Sequence, residues 1–180
     1  IAAFLAGSND KQRKQKLDES ADQLSAYLHN SQKIELRQRL DEDRRDLLHG
    51  HRPVHPFHWE IEFPEVFERA IGGFDMIVGN PPFLGGPNVG GQLGLAYHDL
   101  LVQFFPQTTG LADLVAFFFR RSFDLLGTDG SFGLIAKNTI LQGDSRSSAL
   151  EPIARADARI FFALRRYRWP GVAAVNVSVV

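Results

Sequence analysis

The spacing of apolar and polar positions along the chain predicts a mixed α/β fold. Two segments carry the clearest signal. A continuous apolar run at Phe74–Val78, interrupted only by Asp75, predicts a buried strand, and a stretch at Leu111–Leu126 with apolar residues at helical spacing predicts a helix. The same reasoning predicts further strands at Ser131–Ala136, Ala158–Leu164 and Ala173–Val180, and further helices from Pro64, over Leu95–Phe105, and from Asp144 or Ser145 to about Ala156. Strands that alternate with helices imply a parallel sheet with right-handed crossovers. The last two strands are joined too closely for a crossover, so we expect them to pair antiparallel.

The segment before this pattern is polar and helix-forming. From Asn9 to Gly50 there is no proline and no internal glycine, and leucines recur on one face. His29–Ser31 is a natural place for a turn between two antiparallel helices. We interpret the segment as a solvated helical hairpin packed on a neighbour, with a helix that grips DNA as the alternative. The chain is therefore divided into a helical segment, residues 1–55, and an α/β segment, residues 56–180.

Composition narrows the classes of function. Hydrophobic residues make up 44% of the 180 residues, which is typical of a globular protein. The formal net charge of −1 means that any surface for nucleic acid must be local. There is no cysteine, which excludes disulfides and thiolate metal sites. No apolar run is long enough to span a membrane, and we expect a cytoplasmic location without a membrane partner.

Histidines are concentrated just before the α/β segment. His49, His51, His55 and His58 lie in a stretch interrupted by prolines. Imidazole is the commonest metal ligand in proteins, so a zinc site is one interpretation. The stretch lacks a matching cysteine or HExxH pair, and we therefore favour histidines of a connecting loop and predict no metal site.

The most informative motif directly follows the first strand. Asn80, Pro81, Pro82 and Phe83 stand where ligands bind in open α/β sheets, beyond the carboxyl end of a strand. Asn80 supplies a side-chain carbonyl, and the rigid ring of Pro81 helps to direct its own backbone carbonyl outward. Two adjacent acceptors match an exocyclic amine, which has two hydrogens to donate. Phe83 offers a flat apolar face for a planar ring.

These residues resemble the catalytic motif of S-adenosylmethionine-dependent amino methyltransferases. The surrounding blocks "FHWEIEFPEVF", "GGFDMIVGNPPFLGG", "ADLVAFFFRRSFDLL", "GLIAKNTILQGDSR" and "RWPGVAAVNVSVV" are similar to the N6-adenine DNA methyltransferase domains of large bacterial restriction–modification enzymes of types IIG and IIL. Methylases of related phage-defence systems share the pattern. The resemblance covers roughly residues 56–180.

The resemblance implies a class I methyltransferase (Rossmann-like) fold, whose seven-stranded sheet ends in a hairpin that inserts one antiparallel strand. Phe74–Val78 would be the fourth strand and Ser131–Ala136 the fifth. An adenine flipped out of double-stranded DNA would have its N6 held by Asn80 and the Pro81 carbonyl, with Pro82 in the same motif and Phe83 stacked on the ring. The methyl group would come from S-adenosylmethionine.

One part of the family pattern is absent. No glycine-rich turn follows a strand before residue 72, and the glycines of Gly85–Gly91 lie after the motif. Residues 56–180 therefore resemble the C-terminal half of the catalytic domain, with Asn80 as the one cofactor-binding residue. The remaining partners would be the N-terminal methyltransferase half and a target-recognition domain of the parent polypeptide.

We expect the isolated chain to bind S-adenosylmethionine poorly and not to methylate, because most of the cofactor pocket would lie upstream of Ile1. Calorimetric titration of the purified chain measures this directly. A micromolar affinity would refute the expectation.

Two further segments have open interpretations. Gly85–Gly94 is predicted to be a glycine-rich loop, either on the surface or ordering over the extruded base. Arg165, Arg166 and Arg168 alternate with Tyr167 and Trp169 in the predicted connection between the last two strands. They are candidates for DNA contact through phosphates and stacking by Trp169, and a solvated hairpin tip is the alternative.

Other functions remain open at this stage. The same motif serves methyltransferases that act on guanine N2 of RNA or on a glutamine amide of a protein. A non-catalytic binding or scaffold fragment is the alternative from a different class, and the missing cofactor motif favours it for the chain alone.

Overall fold

The computed structural model describes residues 10–29, 34–49, 53–156, 158–170, 172 and 175–180. The chain divides into two compact units, Ile1–His58 and Trp59–Val180. No helix in the described residues is both long enough and apolar enough to cross a membrane.

The described part of the first unit contains two helices, α1 at Asp10–His29 and α2 at Ile34–His49. The predicted pair of helices is confirmed, and the helices contact each other. Their predicted turn lies largely outside the described residues. After α2, the Val54 amide donates to the Leu47 carbonyl at 2.8 Å, so the chain folds back over the last turn of this helix.

The second unit alternates strands and helices as the sequence pattern predicts. Two one-turn helices, α3 at Trp59–Glu62 and α4 at Pro64–Phe67, precede the first strand, and Pro64 stands at the first turn of α4, where its missing N–H costs nothing. The remaining elements are β1 (Phe74–Gly79), α5 (Gly86–Leu93), α6 (Leu95–Phe104), α7 (Leu114–Asp124), β2 (Leu126–Lys137), a 3₁₀ turn (Asn138–Leu141), α8 (Gly143–Ser148), α9 (Leu150–Arg155), β3 (Leu164–Arg168) and β4 (Asn176–Val179).

The four strands form one sheet in the order β1-β2-β4-β3. β1 and β2 are parallel, and β4 pairs antiparallel with both β2 and β3. The predicted antiparallel pairing of the last two strands is confirmed, with β4 inserted between β2 and β3. Strands β1, β2 and β3 therefore run in one direction, and their carboxyl ends lie at the same edge of the sheet.

Among the described elements, helix α7 supplies the largest share of the buried core that covers this sheet. Six of its eleven residues are buried, and Phe119 is fully buried with its ring edge-on to Phe132 of β2 at 5.6 Å between centroids. Burial of a side chain of this size stabilises the fold by about 1.5–3 kcal/mol. The core therefore ties α7 to β2, the strand next to the candidate site.

Strand β1 forms as predicted, but its predicted burial is wrong within the described residues. Met76 and Val78 are 67% and 75% exposed, and β1 pairs with β2 alone in the described part of the chain. Aromatic rings of Trp59, Phe63 and Phe67 pack around Phe74, so only the start of this face is covered. Among the described residues, none covers the apolar face of β1 at Met76 and Val78.

Two other boundaries differ from the prediction. The long helix begins at Leu114 instead of Leu111, and the helix expected to end near Ala156 is divided into α8 and α9. Strand β2 begins at Leu126 instead of Ser131, and the residues between these two positions are accommodated as an irregularity between the Phe74–Leu126 and Met76–Ser131 pairs.

The predicted strand at Ala158–Leu164 is wrong in position, since the strand is Leu164–Arg168. Leu164 pairs with Val179, so a residue before Leu164 would need a partner at or beyond Val180 in this register. Residues 158–163 follow no regular structure, and the side chains of Ile160, Phe161 and Phe162 are exposed. Their β-propensity is real, but no described strand lies opposite them.

Candidate active site

The Asn80–Phe83 motif leaves the sheet at the carboxyl end of β1. Asn80 and Pro82 are exposed, Pro81 is buried and Phe83 is half-buried. In the described part of the chain, neither the Asn80 amide nor the Pro81 carbonyl makes a hydrogen bond. Neither group is therefore used as an acceptor by a described residue, and the half-buried Phe83 follows them in the chain.

Two hydrogen bonds hold the chain directly after the motif, and a third fixes the carboxylate of Asp113. The Leu114 amide donates to the Leu84 carbonyl at 2.8 Å, and the Gly86 amide donates to Asp113 Oδ1 at 3.1 Å. The other oxygen of Asp113 accepts from the Thr139 hydroxyl at 2.5 Å. Sequence analysis missed Asp113. An Asp just before an apolar helix is a capping signal, but this carboxylate bonds a glycine 27 positions earlier instead.

The predicted glycine-rich loop at Gly85–Gly94 is wrong, because residues 86–93 form helix α5. Pro87 lies in the first turn, where it favours a helix. Val89 is fully buried, and this burial offsets the low helix propensity of the glycines. Gly94 has a φ of 96° and separates α5 from α6 at a conformation that glycine adopts without strain.

The turn after β2 carries polar groups at the same edge of the sheet. Asn138 Oδ1 accepts from the Ser178 hydroxyl at 3.4 Å, and Asp144 Oδ1 accepts from the Thr109 hydroxyl at 2.8 Å. Both side chains thus connect segments of the protein. Both side-chain oxygens accept hydrogen bonds within the protein, which favours a structural role in the turn over ligand binding.

The basic–aromatic cluster lies in a strand, not in the predicted connection. Arg165, Arg166, Tyr167 and Arg168 belong to β3 and are all exposed, and Trp169 follows it, half-buried. Arg166 has a φ of 52° at the register shift between Leu164 and Tyr167, and such a bulge changes the direction of neighbouring side chains. β3 is three strand intervals from β1, about 14 Å at ~4.8 Å per interval. Because β3 runs in the same direction as β1, Arg168 at its end and the following Trp169 lie at the same edge of the sheet as Asn80.

The remaining candidates do not form a site in the described residues. Among those residues, no three His, Cys, Asp or Glu side chains are grouped so that they could hold a metal ion. His49, His55 and His58 are exposed, and His51 lies outside the described residues. A cleft of about 760 Å³ is lined by residues of α7, β2, α9 and the irregular segment 158–162, and no residue of the Asn80–Phe83 motif borders it.

Comparison with known proteins identifies the family of this chain. The profile of the Eco57I restriction-modification methylases matches residues 8–154 of the 180. The chain belongs to the Eco57I restriction-modification methylase family. The match includes β1, the Asn80–Phe83 motif, α7 and β2, and it ends before β3. The predicted relationship to restriction–modification methyltransferases is confirmed.

A solved structure supports the fold of this Eco57I-family chain. The type IIL restriction-modification enzyme MmeI, determined in complex with DNA, is similar over 71% of the chain with a TM-score of 0.52 and 24% sequence identity. The chain spans 17% of the MmeI chain. The predicted fold class, a partial class I methyltransferase sheet with a helical segment before it, is confirmed. Among curated proteins, none matches.

Proposed function

We propose that this Eco57I-family chain is part of a DNA methyltransferase that modifies adenine at N6. It would form the half of the catalytic domain that holds the target adenine. One observation carries the proposal: Asn80 and the Pro81 carbonyl end strand β1 as two acceptors without partners in the described residues, beside a half-buried Phe83. The family membership supports methyl transfer. The neighbouring MmeI structure, solved with DNA, supports DNA as the substrate.

The proposed chemistry depends on the electronic state of an aromatic amine. The nitrogen lone pair of adenine N6 is delocalised into the ring, so the amine is a poor nucleophile. Two hydrogen bonds, donated by the amine to Asn80 Oδ1 and to the Pro81 carbonyl, favour a tetrahedral nitrogen and stabilise the positive charge that develops on it. Because the segment that carries both acceptors leaves the sheet at Gly79, which pairs with Leu134, we expect little reorganisation of its backbone when the base enters. The proton leaves after the transfer, so no general base is required in advance.

Phe83 would position the base instead of reacting with it. A half-buried ring can stack on the face of an extruded base, and stacking of this kind contributes about 1–3 kcal/mol per base. Extrusion itself costs a few kcal/mol, which this contact offsets in part.

The described residues do not form a cradle for the cofactor. S-adenosylmethionine would supply an electrophilic methyl group, but among the described residues the glycine-rich segment forms helix α5, with Gly86 packed against the backbone of Leu111. Asn80 remains the one residue that we assign to the cofactor side. We infer that the parent polypeptide supplies the other half of the sheet, and the free edge of β1, which pairs with β2 alone in the described residues, supports this.

We assign β3 to the DNA interface and residues 1–55 to an insert outside the catalytic half.

Replacing Arg165 and Arg166 with Ala in the full-length enzyme should weaken DNA binding. It should also reduce the slope of log K against log salt by about 1–2, since each phosphate contact contributes about 0.9. Binding isotherms over a salt series measure this slope.

An adjacent pair of exposed arginines on α2, Arg44 and Arg45, provides the matched control. Its replacement should leave the slope unchanged if the helical hairpin is solvated. An unchanged slope in the β3 variant would remove β3 from the interface. A reduced slope in the α2 variant would instead support the alternative interpretation, in which the helical segment binds DNA.

A substrate comparison tests the proposed function. The full-length enzyme is incubated with labelled S-adenosylmethionine and unmethylated plasmid DNA, structured RNA or a protein with exposed glutamine, followed by mass spectrometry of the products. We expect N6-methyladenine in DNA and no label in RNA or protein. Label on guanine N2 or on a glutamine amide would contradict the assignment, and no label anywhere would favour a non-catalytic scaffold.

A further inference from the structure

Asp113 connects three segments that are far apart in the sequence. Asp113 directly precedes α7 in the chain. Its Oδ1 accepts from the Gly86 amide at 3.1 Å, and its Oδ2 accepts from the Thr139 hydroxyl at 2.5 Å. Gly86 follows the Asn80–Phe83 motif by three residues, and Thr139 follows β2. The carboxylate therefore joins the ends of the two polypeptide segments that leave the carboxyl edge of β1 and β2.

The backbone that carries Asp113 is itself fixed on α8. The Asp113 amide donates to the Ser145 hydroxyl at 3.0 Å, and the Thr109 amide donates to the Ser148 hydroxyl at 3.1 Å. Ser145 is 5% exposed and Ser148 is fully buried, so these acceptors are held in place by packing. Asp113 is thus anchored on a packed part of the protein.

Gly86 lies in direct contact with this anchored backbone. A Cβ placed on Gly86 would be 2.1 Å from the Leu111 carbonyl oxygen and 2.8 Å from that of Ala112. The motif therefore runs between two fixed points. At one end Gly79 pairs with Leu134 in the sheet, and at the other Leu84 and Gly86 are bonded to Leu114 and Asp113.

We infer that Asp113 is a positioning residue for methyl transfer, which rests on the proposed function of the Asn80–Phe83 motif. It acts through Gly86, since it holds the far end of the segment whose carbonyls would accept from the amine. Hydrogen-bond geometry for the reacting amine tolerates little displacement, and a shift of about 1 Å can lower a rate about 100-fold. Binding of DNA elsewhere on the protein does not depend on this position.

The test uses the full-length enzyme in single-turnover methylation of unmethylated plasmid DNA, with DNA affinity measured in parallel. Asp113→Ala should lower the rate per folded enzyme about 100-fold and leave DNA affinity unchanged. Asp113→Asn should keep most of the rate, because its amide oxygen still accepts from Gly86 and its NH₂ can donate to Thr139. Asp129→Ala, an exposed Asp in β2 outside this network, should behave as wild type.

A purely structural role would give a different pattern. A folded Asp113→Ala enzyme with the wild-type rate, or an Asp113→Asn enzyme as slow as Asp113→Ala, would overturn the inference. If Asp113→Ala does not fold, Asp113→Glu decides, because it keeps the charge but displaces the carboxylate by one methylene. We expect a reduced rate for Asp113→Glu with unchanged DNA affinity, and a wild-type rate would overturn the inference.

Asn80→Ala, measured in the same assay, distinguishes a failure of the proposed function from a failure of the positioning role of Asp113. If Asn80→Ala is slow and the Asp113 variants are not, the positioning role fails and the proposed function stands. If Asn80→Ala has the wild-type rate, the proposed function fails, and the inference on Asp113 fails with it.

Discussion

Replacing Asn80 with Ala in the full-length enzyme should lower the rate of methyl transfer about 100- to 1,000-fold, the range for the loss of one preorganised hydrogen-bonding group at a reacting centre. The side chain is exposed at the end of β1 and has no hydrogen bond in the described residues. Its removal should therefore leave the fold intact. Single-turnover methylation and thermal unfolding, measured on the same preparation, check both statements.

The control for this variant is Asn88→Ala. Asn88 is also an exposed Asn, but it lies on α5 beyond the motif. We expect its rate and its unfolding temperature to match the wild type, and DNA affinity to be retained in both variants. An Asn80→Ala enzyme that methylates at the wild-type rate would show that the amide does not hold the amine.

Replacing Gly86 with Ala should destabilise the protein and slow methylation together. The added methyl group would stand 2.1 Å from the Leu111 carbonyl oxygen and 2.4 Å from its carbon, and both are backbone atoms that cannot turn away. Overpacking of this kind costs about 1–3 kcal/mol. Relief of the clash must move either the 111–112 backbone or the segment that carries the motif. Scanning calorimetry measures the first effect and single-turnover methylation the second.

Gly91 provides a matched control in the same helix. A Cβ at Gly91 meets no atom within 4 Å, so Gly91→Ala adds helix propensity without a clash. We expect it to raise stability by about 0.5–1 kcal/mol. Equal unfolding temperatures for the two variants would show that the close approach at Gly86 does not constrain the protein.

The sequence predicted the strands that carry the site because their signals are local. Phe74–Val78 is a short apolar run bounded by glycine and proline, and both boundaries are visible within a few residues. The same apolar run could not reveal that Met76 and Val78 are exposed, since composition shows that a face is suited to burial and not which segment covers it.

The errors arose where tertiary contacts override local propensity. Gly85–Gly94 has the composition of a loop, but the buried side chain of Val89 and the bond from Gly86 to Asp113 stabilise a helix. The role of Asp113 depends on a partner 27 positions away. No periodicity or capping pattern encodes a contact of that length, so only the folded chain could identify it.

We propose that two carbonyls at the end of β1 hold the exocyclic amine of an extruded adenine. The most direct test of this proposal is the structure of the full-length enzyme bound to its target DNA and a non-reactive cofactor analogue. The account predicts adenine N6 within about 3 Å of both Asn80 Oδ1 and the Pro81 carbonyl oxygen, a distance typical of hydrogen bonds, with the base against Phe83. A target base bound elsewhere, with the Asn80 amide turned away from its amine, would contradict it.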